Sequence, residues 1–323
     1  MNLQGRRALV TGATGFVGAN LVRGALACGA EVHVIVRSAA RLWRIEELLP
    51  RIHVHRADLV DARAVGAAVT TACPHVVFHS AMTGGHPRTE AEREEMLRIS
   101  VFGTASMLEA SWNAGVARFV HLGSWLEYAP RASSLREDLP ADPASFRGVA
   151  KAAATLLCRQ FSRERNWPLA VLRLFSVFGP WETSTRFVPS AIRAALDGGE
   201  LSLTPPGICR DFVFVDDVVE ACLLAAVADI RPGEVINIGS GEAHANEEVV
   251  ALVGRASGRA VRVRSGEHPL RPHDGAHCAA EIQRAREILG WAPRHSLAEG
   301  IAKFVEWIRR HEYGARSDRG RSA

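Results

Sequence analysis

The chain has 323 residues, of which 23% are charged, and a formal net charge of +4. This length suits one large domain, or one domain with a smaller lobe. The basic C-terminal tail comes without a zinc spacing or a recognition-helix pattern, so we expect no nucleic-acid partner. No apolar run reaches the roughly 20 residues of a membrane helix, and the first strand begins too early for a signal peptide. We therefore expect a cytoplasmic protein that does not contact a membrane.

The first predicted unit is a strand, a glycine-rich turn and a helix. Residues 7–10 form an apolar run typical of a buried parallel strand, and residues 21–26 are typical of a helix. Glycines in the turn permit a close approach of backbone to ligand, and the helix N-terminus favours a pyrophosphate. The unit predicts a dinucleotide site. Its predicted cofactor-binding residues are Gly12, Thr14, Gly15, Phe16, Val17 and Gly18.

Strand-like and helical segments then alternate along the chain. Further strands are predicted over residues 32–36, 52–55, 75–79, 119–122 and 169–175. Helices are predicted over residues 41–49, 62–70, 90–114 and 151–164. Such alternation predicts an α/β fold with a Rossmann-type doubly wound parallel sheet and helices on both faces.

The regular alternation of strands and helices ends after Phe175, where proline and glycine predict longer loops and short strands. Helices are again predicted over residues 217–228, 246–256, 279–289 and 297–309. We therefore divide the chain into three parts. These are a cofactor-binding domain (1–175), a smaller C-terminal substrate lobe interleaved with it (176–312) and a flexible tail (313–323).

The residues that follow the second and third predicted strands bear on the choice and binding of the cofactor. An acid normally follows the second strand and binds the ribose 2′-hydroxyl, but this chain has Arg37 and Ser38 there. A guanidinium suits a 2′-phosphate, which favours NADP over NAD, although exposed arginines are common at strand ends. Asp58, followed by Leu59, is placed to accept from the adenine amino group. Capping of the helix that starts near Ala62 explains Asp58 nearly as well.

Cysteines and histidines give no local metal pattern. The six cysteines are scattered without a CxxC pair, as is typical of reduced core residues. The thirteen histidines include no HExxH motif, so no metal site is expected. His79 and His121, at strand ends, are interpreted as packed residues with one satisfied nitrogen.

Six segments are informative through their order along the chain. They are TGATGFVG (11–18), HSA (79–81), HLGSWLEY (121–128), LRLFSVFGP (172–180), RDFVFVDD (210–217) and LGWAP followed by EG (289–300). In this order they resemble the motifs of the extended short-chain dehydrogenases/reductases that act as nucleotide-sugar epimerases, dehydratases and reductases. The resemblance runs from about residue 6 to about residue 308.

The resemblance implies a Ser/Tyr/Lys catalytic arrangement. Ser124 would polarise the reacting oxygen, and Lys151 would hold the nicotinamide ribose and lower the pKa of a tyrosine four residues earlier. That position holds Arg147, and the only tyrosines of the chain are Tyr128 and Tyr313. Arginine stays protonated and cannot replace the proton relay of tyrosine.

Three explanations remain open at this point. Another group supplies the proton, the candidates being Tyr128, Glu127 or a water held by Ser124 and Lys151, with Arg147 stabilising negative charge. Alternatively, the reaction needs no tyrosine there, as in related sugar dehydratases. In the third explanation hydride chemistry is lost, which leaves a catalytically silenced nucleotide-sugar or dinucleotide-binding protein.

The resemblance also implies ligand contacts. Further cofactor-binding residues would be Ser80, Ala81, Met82, Lys151, Phe175 and Val177. Substrate-binding residues would be Thr83, Ser124, Ser176, Arg186, Phe187, Arg210, Arg271 and Asp274. Arg210 and Arg271 would clamp a diphosphate, Asp274 would hold the ribose, and Phe187 would pack near the base. The competing interpretations are surface ion pairs for the arginines, a turn cap for Asp274 and a core position for Phe187.

The resemblance thus implies an NADP-dependent oxidoreductase that acts on a nucleoside-diphosphate sugar, with reduction of a 4-keto-6-deoxy sugar favoured. A nucleotide-sugar epimerase or dehydratase with recycled NAD(P) is the alternative, and the silenced binding protein is an alternative of another class. Relatives that pair through helices like those predicted over residues 90–114 and 151–164 imply a homodimer.

Overall fold

The computed structural model describes residues 3–130, 133–271, 274 and 278–313. Its strands are β1 (Arg7–Thr11), β2 (Glu31–Val36), β3 (Ile52–Arg56), β4 (Val76–His79), β5 (Arg118–Ser124), β6 (Leu169–Leu174), β7 (Ser176–Phe178), β8 (Glu200–Leu203), β9 (Cys209–Arg210), β10 (Phe212–Phe214), β11 (Glu234–Ile238), β12 (His244–Ala245) and β13 (Arg262–Ser265).

The helices follow the strands on both faces of the sheet. They are α1 (Phe16–Ala27), α2 (Ala62–Ala72), α3 (Glu90–Leu97), α4 (Gly103–Asn113), α5 (Phe146–Glu164), α6 (Phe187–Asp197), α7 (Val215–Ala225), α8 (Asn246–Ser257), α9 (Gln283–Leu289) and α10 (Leu297–Ile308). Short 3₁₀ turns cover Glu46–Arg51 and Trp125–Glu127, and π-helical turns cover Arg98–Phe102 and Arg309–Tyr313.

A seven-stranded parallel sheet organises the fold, in the order β3-β2-β1-β4-β5-β6-β11. Side chains alternate between its faces, so that Val10 packs towards α1 and α7 while Leu9 packs towards α2, α4 and α5. After β3 the chain crosses back to place β4 beside β1. A ligand crevice forms at such a reversal, at the carboxyl ends of the strands. The predicted Rossmann-type α/β fold is confirmed.

The C-terminal part interleaves with this sheet. Helices α6, α8 and α10 share a separate apolar core with β8 and β10. Strand β11, however, pairs with β6 in the central sheet, and β7 pairs with β10. The division at residue 175 stays a proposal. The predicted tail lies outside the described residues, apart from Tyr313.

Three predicted helices need correction. The predicted helix 41–49 is wrong: Arg44 extends to the carbonyls of Trp181 and Thr14 at 2.8 and 3.1 Å, and only the 3₁₀ turn Glu46–Arg51 forms. The predicted helix 279–289 begins only at Gln283, because the backbone of residues 279–281 pairs with Leu135. The predicted helix 90–114 is interrupted by the π-helical turn.

Helix α5 begins five residues earlier than predicted, at Phe146. The Ser145 side chain caps it by accepting from Gly148 N at 3.2 Å. Arg147 therefore lies in the first turn of the same helix that carries Lys151. Among all described helices, none has the length and apolar character to cross a membrane.

Candidate active site

The glycine-rich loop is packed tightly against the end of β4. Gly12 has a φ of +70°, and a Cβ there would lie 2.7 Å from Ala81 N and from Ser80 Oγ. A Cβ at Gly18 would overlap the carbonyl of Gly12. Gly15 occupies the N-cap position of α1 and offers no side-chain acceptor to the first-turn N–H groups. These N–H groups and the positive helix end fit a pyrophosphate, so the loop fits a dinucleotide cofactor.

Hydrogen bonds fix the loop to the strand end beside it. Ser80 Oγ donates to Thr11 O at 2.7 Å, and Thr11 Oγ1 lies 2.8 Å from His79 Nδ1. The other His79 nitrogen lies 3.0 Å from Thr104 Oγ1, so both of its ring nitrogens have partners. Burial, and next the charge of Lys151, lower the pKa of His79 to about 3. His79 is therefore a neutral packed residue that positions the cofactor loop.

His121 differs from the sequence-based expectation. It is buried beside His79 with ring centroids 5.4 Å apart. Neither of its ring nitrogens has a hydrogen-bond partner among the described residues, whereas one satisfied nitrogen was predicted. Burial and the charge of Lys151 hold its pKa well below the usual range. It therefore stays uncharged.

Two guanidiniums stand at the carboxyl ends of β2 and β3. The Arg37 side chain is 60% exposed, with Nη1 3.7 Å from Glu95 Oε1. Arg56 Nη1 donates to the carbonyl of Ser38 at 3.0 Å, and Arg56 pairs in register with Val36. Arg56 was missed from the sequence, although it follows directly on the third apolar run.

Asp58 is not the helix cap considered for it. The cap of α2 is Asp61, whose Oδ1 accepts from the two N–H groups of residues 63 and 64. Asp58 is exposed and accepts from Val60 N at 3.2 Å, while Leu59 is buried. The capping interpretation is wrong, and the adenine contact of Asp58 stays a prediction.

Lys151 contacts β5 near its carboxyl end, where Ser124 lies. Lys151 Nζ donates to Leu122 O at 2.5 Å, and Ser124 Oγ accepts from Leu126 N at 3.2 Å. A Cβ at Gly148 would overlap the carbonyl of Leu126, so only glycine lets α5 approach this turn so closely. The structure thus anchors Lys151 on the strand that ends at Ser124, and these are two of the five residues predicted to be catalytic.

Lys151 is one of only two lysines in a chain rich in arginine. It is buried, and this desolvation, followed by the positive charge of Arg147, lowers its pKa to about 8. Glu127 acts in the opposite direction. A lysine with this pKa can give up or accept a proton near neutral pH, as general acid–base catalysis requires.

Arg147 holds the loop that follows β4. Its Nη1 donates to the carbonyls of Thr83 and Gly85 at 3.2 and 2.8 Å. Burial, and next the charge of Arg186, lower its pKa to about 10, so it remains a cation at neutral pH. The Thr83 hydroxyl in this loop is buried and has no hydrogen-bond partner among the described residues. A ligand hydroxyl in the crevice would satisfy it.

The side chains of Glu127 and Tyr128 are hydrogen-bonded to residues of the protein core. Glu127 is fully buried; its Oε2 accepts from Arg173 Nε at 2.8 Å and its Oε1 from Thr155 Oγ1 at 3.0 Å. The Tyr128 hydroxyl donates to Asn237 Oδ1 at 2.8 Å, and burial raises its pKa to about 12. These contacts correct the sequence-based expectation. They give both residues structural roles and argue against either as the proton donor.

Arg210 and Asp274 form an ion pair on the substrate side. The other oxygen of Asp274, Oδ2, accepts from Arg271 N at 2.8 Å, which is the turn cap considered for it. The Asp274 side chain is almost fully buried. Its predicted contact with a nucleotide ribose stays a prediction and requires one carboxylate oxygen to exchange partners.

Asp211 is a residue that the sequence analysis missed. Its buried carboxylate accepts from Ser240 N, Gly241 N and Ala280 N at 2.5, 2.9 and 3.0 Å. Its carbonyl accepts from Ser176 N at 2.9 Å. Asp211 thereby joins the segments that carry Ser176 and Arg210. Its place inside the RDF motif was the available signal.

Arginines from three segments lie near His86. Burial, and next the charges of Arg271, Arg147 and Arg186, lower the pKa of His86 to about 4, so it is neutral at pH 7. Burial and the charge of Arg210 also lower the pKa of Arg271. The four guanidiniums thus influence one another across one crevice. Such a positive site suits a diphosphate.

The apolar residues predicted to contact the cofactor or the base differ in burial. Phe175 is buried in a cluster with Trp125, while Val177 is half-buried. Phe187 is half-buried and packs against Phe212 with ring centroids 6.1 Å apart. Met82 is half-buried next to Ala81. Cofactor contacts of Phe175, Val177 and Met82 and a base contact of Phe187 stay predictions.

Comparison with known proteins identifies the family. Residues 8–239 match the family model described as "NAD dependent epimerase/dehydratase family". The chain belongs to this family. The resemblance seen in the motifs is therefore confirmed, and with it the class of enzyme and an NAD(P) dinucleotide cofactor.

Named members of the NAD dependent epimerase/dehydratase family resemble the chain along nearly its whole length. UDP-glucose 4-epimerase of Mycolicibacterium smegmatis is 32% identical over 94% of this chain and 98% of its own. dTDP-6-deoxy-L-talose 4-dehydrogenase (NAD(P)(+)) of Kitasatospora kifunensis is 33% identical over 92% and 94%. The structure of MoeE5 in complex with UDP-glucose and NAD superposes with a TM-score of 0.83, at 31% identity over 94% and 99%.

Proposed function

We propose that the protein is an NADPH-dependent reductase of a nucleoside-diphosphate 4-keto-6-deoxy sugar. The observation that carries this proposal is the pair of guanidiniums, Arg37 and Arg56, on either side of Ser38. They suit the 2′-phosphate that distinguishes NADPH from NADH. Preference for NADP favours net reduction, in which the cofactor is exchanged in every cycle, over epimerisation, in which it is regenerated.

The arginine-lined crevice supports a nucleoside-diphosphate sugar as substrate. Arg210 and Arg271 would bind the diphosphate, and the charges of Arg210 and Arg186 both act on Arg271. The unpartnered Thr83 hydroxyl and Ser176 offer hydrogen bonds to sugar hydroxyls. UDP-glucose in the MoeE5 structure and the dTDP-sugar in the name of the Kitasatospora relative are consistent with this substrate class.

Catalysis then rests on three side chains of α5 and β5. A nicotinamide cofactor held by the glycine-rich loop would supply the hydride that reduces the keto carbon. Ser124 donates a hydrogen bond to the keto oxygen, and Arg147 stabilises the negative charge that develops there. Lys151, with its pKa of about 8, supplies the proton through a water held between it and Ser124. This arrangement needs no tyrosine at position 147.

Identification of the bound cofactor tests the proposal. We expect freshly purified protein, once denatured, to release little dinucleotide, and native protein to oxidise NADPH when a dTDP-4-keto-6-deoxy sugar is added. Stoichiometric release of oxidised NAD would instead indicate an epimerase or dehydratase that recycles its cofactor. Absence of both cofactor binding and sugar binding would refute the proposal in every form and favour a non-catalytic role.

Reversing the charge at Arg37 is expected to change the cofactor preference. In Arg37→Asp we expect NADPH to bind about 10–100-fold more weakly, since charge-assisted hydrogen bonds contribute about 1.5–3 kcal/mol. NADH binding should improve, because a carboxylate accepts from the 2′-hydroxyl. Titration of each cofactor by fluorescence measures the change, with the surface variant Arg231→Asp as control. Unchanged NADPH affinity in Arg37→Asp would remove the basis for NADP preference.

We also propose a homodimer that forms through α5 and the π-helical turn Arg98–Phe102, within the helical regions predicted to pair. Phe102, Leu156 and Val149 are 63, 55 and 44% exposed, and α5 packs against the π-helical turn that holds Phe102. Apolar side chains this exposed on neighbouring helices indicate an interaction surface, and a second copy of the chain fits it.

Placing a charge on this surface is expected to separate the subunits. The wild-type protein should have twice the mass of the chain in solution, measured by light scattering, and Leu156→Arg should have the monomer mass. Val227→Arg changes an equally exposed apolar residue outside these helices and should remain dimeric. A monomeric wild type would reject the homodimer.

A further inference from the structure

A cluster of titratable side chains lies on β2 and β3, away from the crevice. It consists of Glu31, His33, His53 and His55, named here the edge cluster. His33 pairs in register with His53, and His55 lies two residues further along β3, so the three histidines share one face of the sheet. β3 is the outermost strand. Glu31 begins the strand that Arg37 follows, so Glu31 and Arg37 lie about 20 Å apart at the rise of a β-strand. The end of the cluster with Glu31, His33 and His53 is therefore separate from the cofactor end, and only His55 lies next to Arg56.

Three ligand atoms of the edge cluster converge. Glu31 Oε1 lies 3.1 Å from His33 Nε2 and 3.4 Å from His53 Nε2. The three atoms all lie within 4.8 Å of one another. In a tetrahedral site with bonds of 2.0–2.2 Å, ligand atoms are about 3.4 Å apart. Two of the three separations therefore already match. The His33 and His53 rings are stacked, with centroids 4.6 Å apart and an interplanar angle of 23°, so the exposed His53 ring must turn before its Nε2 lone pair faces the ion.

The fourth residue orients the central ligand. His33 Nδ1 lies 3.0 Å from His55 Nε2. When the proton is on Nδ1 and is donated to His55, the Nε2 lone pair of His33 faces Glu31 and His53. Histidine ligands commonly donate their second nitrogen in this way, which fixes the tautomer that binds metal.

We propose that Glu31, His33 and His53 bind one divalent ion of the zinc type, with a fourth position open to solvent. Two imidazole nitrogens and one carboxylate oxygen suit Zn²⁺, whereas Mg²⁺ and Ca²⁺ prefer oxygen ligands alone. Glu31 and His53 are 47 and 60% exposed, which gives the ion access. The ion would bridge β2 and the edge strand β3 and stabilise their pairing.

Zinc binding by the full-length protein tests this site. After treatment with a chelator, the wild type should take up one Zn²⁺ per chain, measured by calorimetry and by metal analysis after dialysis. Zn²⁺ should also raise its Tm, because the ion binds the folded state preferentially. In His53→Gln and Glu31→Gln we expect binding at least about 10-fold weaker and no rise in Tm, and in His55→Gln about 10-fold weaker binding.

Cys73→Ser is the matched control. Cys73 is exposed, and Arg7 contacts both its thiol and His75, so these two residues form the competing candidate site. This variant should bind Zn²⁺ as the wild type does. The proposal is overturned when the folded wild type takes up no Zn²⁺, when Cys73→Ser abolishes the uptake, or when His53→Gln leaves it unchanged. Circular dichroism and dinucleotide binding verify that each variant is folded.

Discussion

Replacement of Lys151 by methionine is expected to lower kcat/KM for reduction of the keto sugar by about 10²–10⁴-fold, the range typical of general acid–base catalysis. Methionine fills the buried space of the lysine but carries no proton. Initial rates of NADPH oxidation measure the loss, and Lys303→Met, at the only other lysine of the chain, should keep wild-type activity. Circular dichroism confirms that both variants are folded.

The pH profile connects this loss to proton transfer. Lys151 donates only when protonated, so the rate should fall above its pKa of about 8. Arg147 lowers that pKa, and Arg147→Gln should therefore move the fall to higher pH. A Lys151→Met variant with unchanged kcat, or an upper limb unaffected by Arg147→Gln, would contradict Lys151 as the proton source. An effect of Lys151→Met on cofactor binding alone would favour the silenced binding protein.

Replacement of Arg173 by methionine is expected to destabilise the fold by about 3–5 kcal/mol, because it leaves the Glu127 carboxylate buried without its cation. Arg173 Nε and Glu127 Oε2 are 2.8 Å apart, and both side chains are almost completely buried. The guanidinium also lies over the Tyr128 ring, 4.4 Å from its centroid. Urea unfolding followed by circular dichroism measures the change in free energy of unfolding.

Two further variants separate the buried charge from the loss of packing. The double variant Arg173→Met/Glu127→Gln should recover part of the loss, since no charge then remains buried. Arg310→Met removes a cation from an exposed ion pair with Glu306 and should cost about 0.5 kcal/mol or less. Equal losses in Arg173→Met and Arg310→Met would show that the buried pair does not stabilise the fold.

Much of the fold and part of the site could be predicted because their signals are local. A strand, a glycine turn and a helix occupy consecutive residues, so Gly12, Gly15 and Gly18 reveal the dinucleotide loop without knowledge of the rest of the chain. Alternating apolar segments likewise predicted the parallel sheet. In both cases the physical requirement acts between residues that are close in sequence. Lys151 was recognised differently, from the resemblance of the ordered motifs to those of the family.

Other assignments depended on partners far away in the chain. Glu127 and Tyr128 stand beside Ser124 in sequence, yet Arg173 and Asn237 hold them in the core. Residues 41–49 form no α-helix, and Arg44 within them donates to the distant carbonyl of Trp181. Such contacts follow from packing, which local propensity does not describe.

The sequence by itself determined the parallel α/β fold, the dinucleotide loop and the family, because short-range geometry and motif order specify them. Only the tertiary structure decided which polar side chains face the crevice and which pair in the core. It also placed Glu31 and His33 beside His53, about twenty residues later on the neighbouring strand. Parallel pairing brings together residues separated by a whole crossover connection, and no local spacing records that contact.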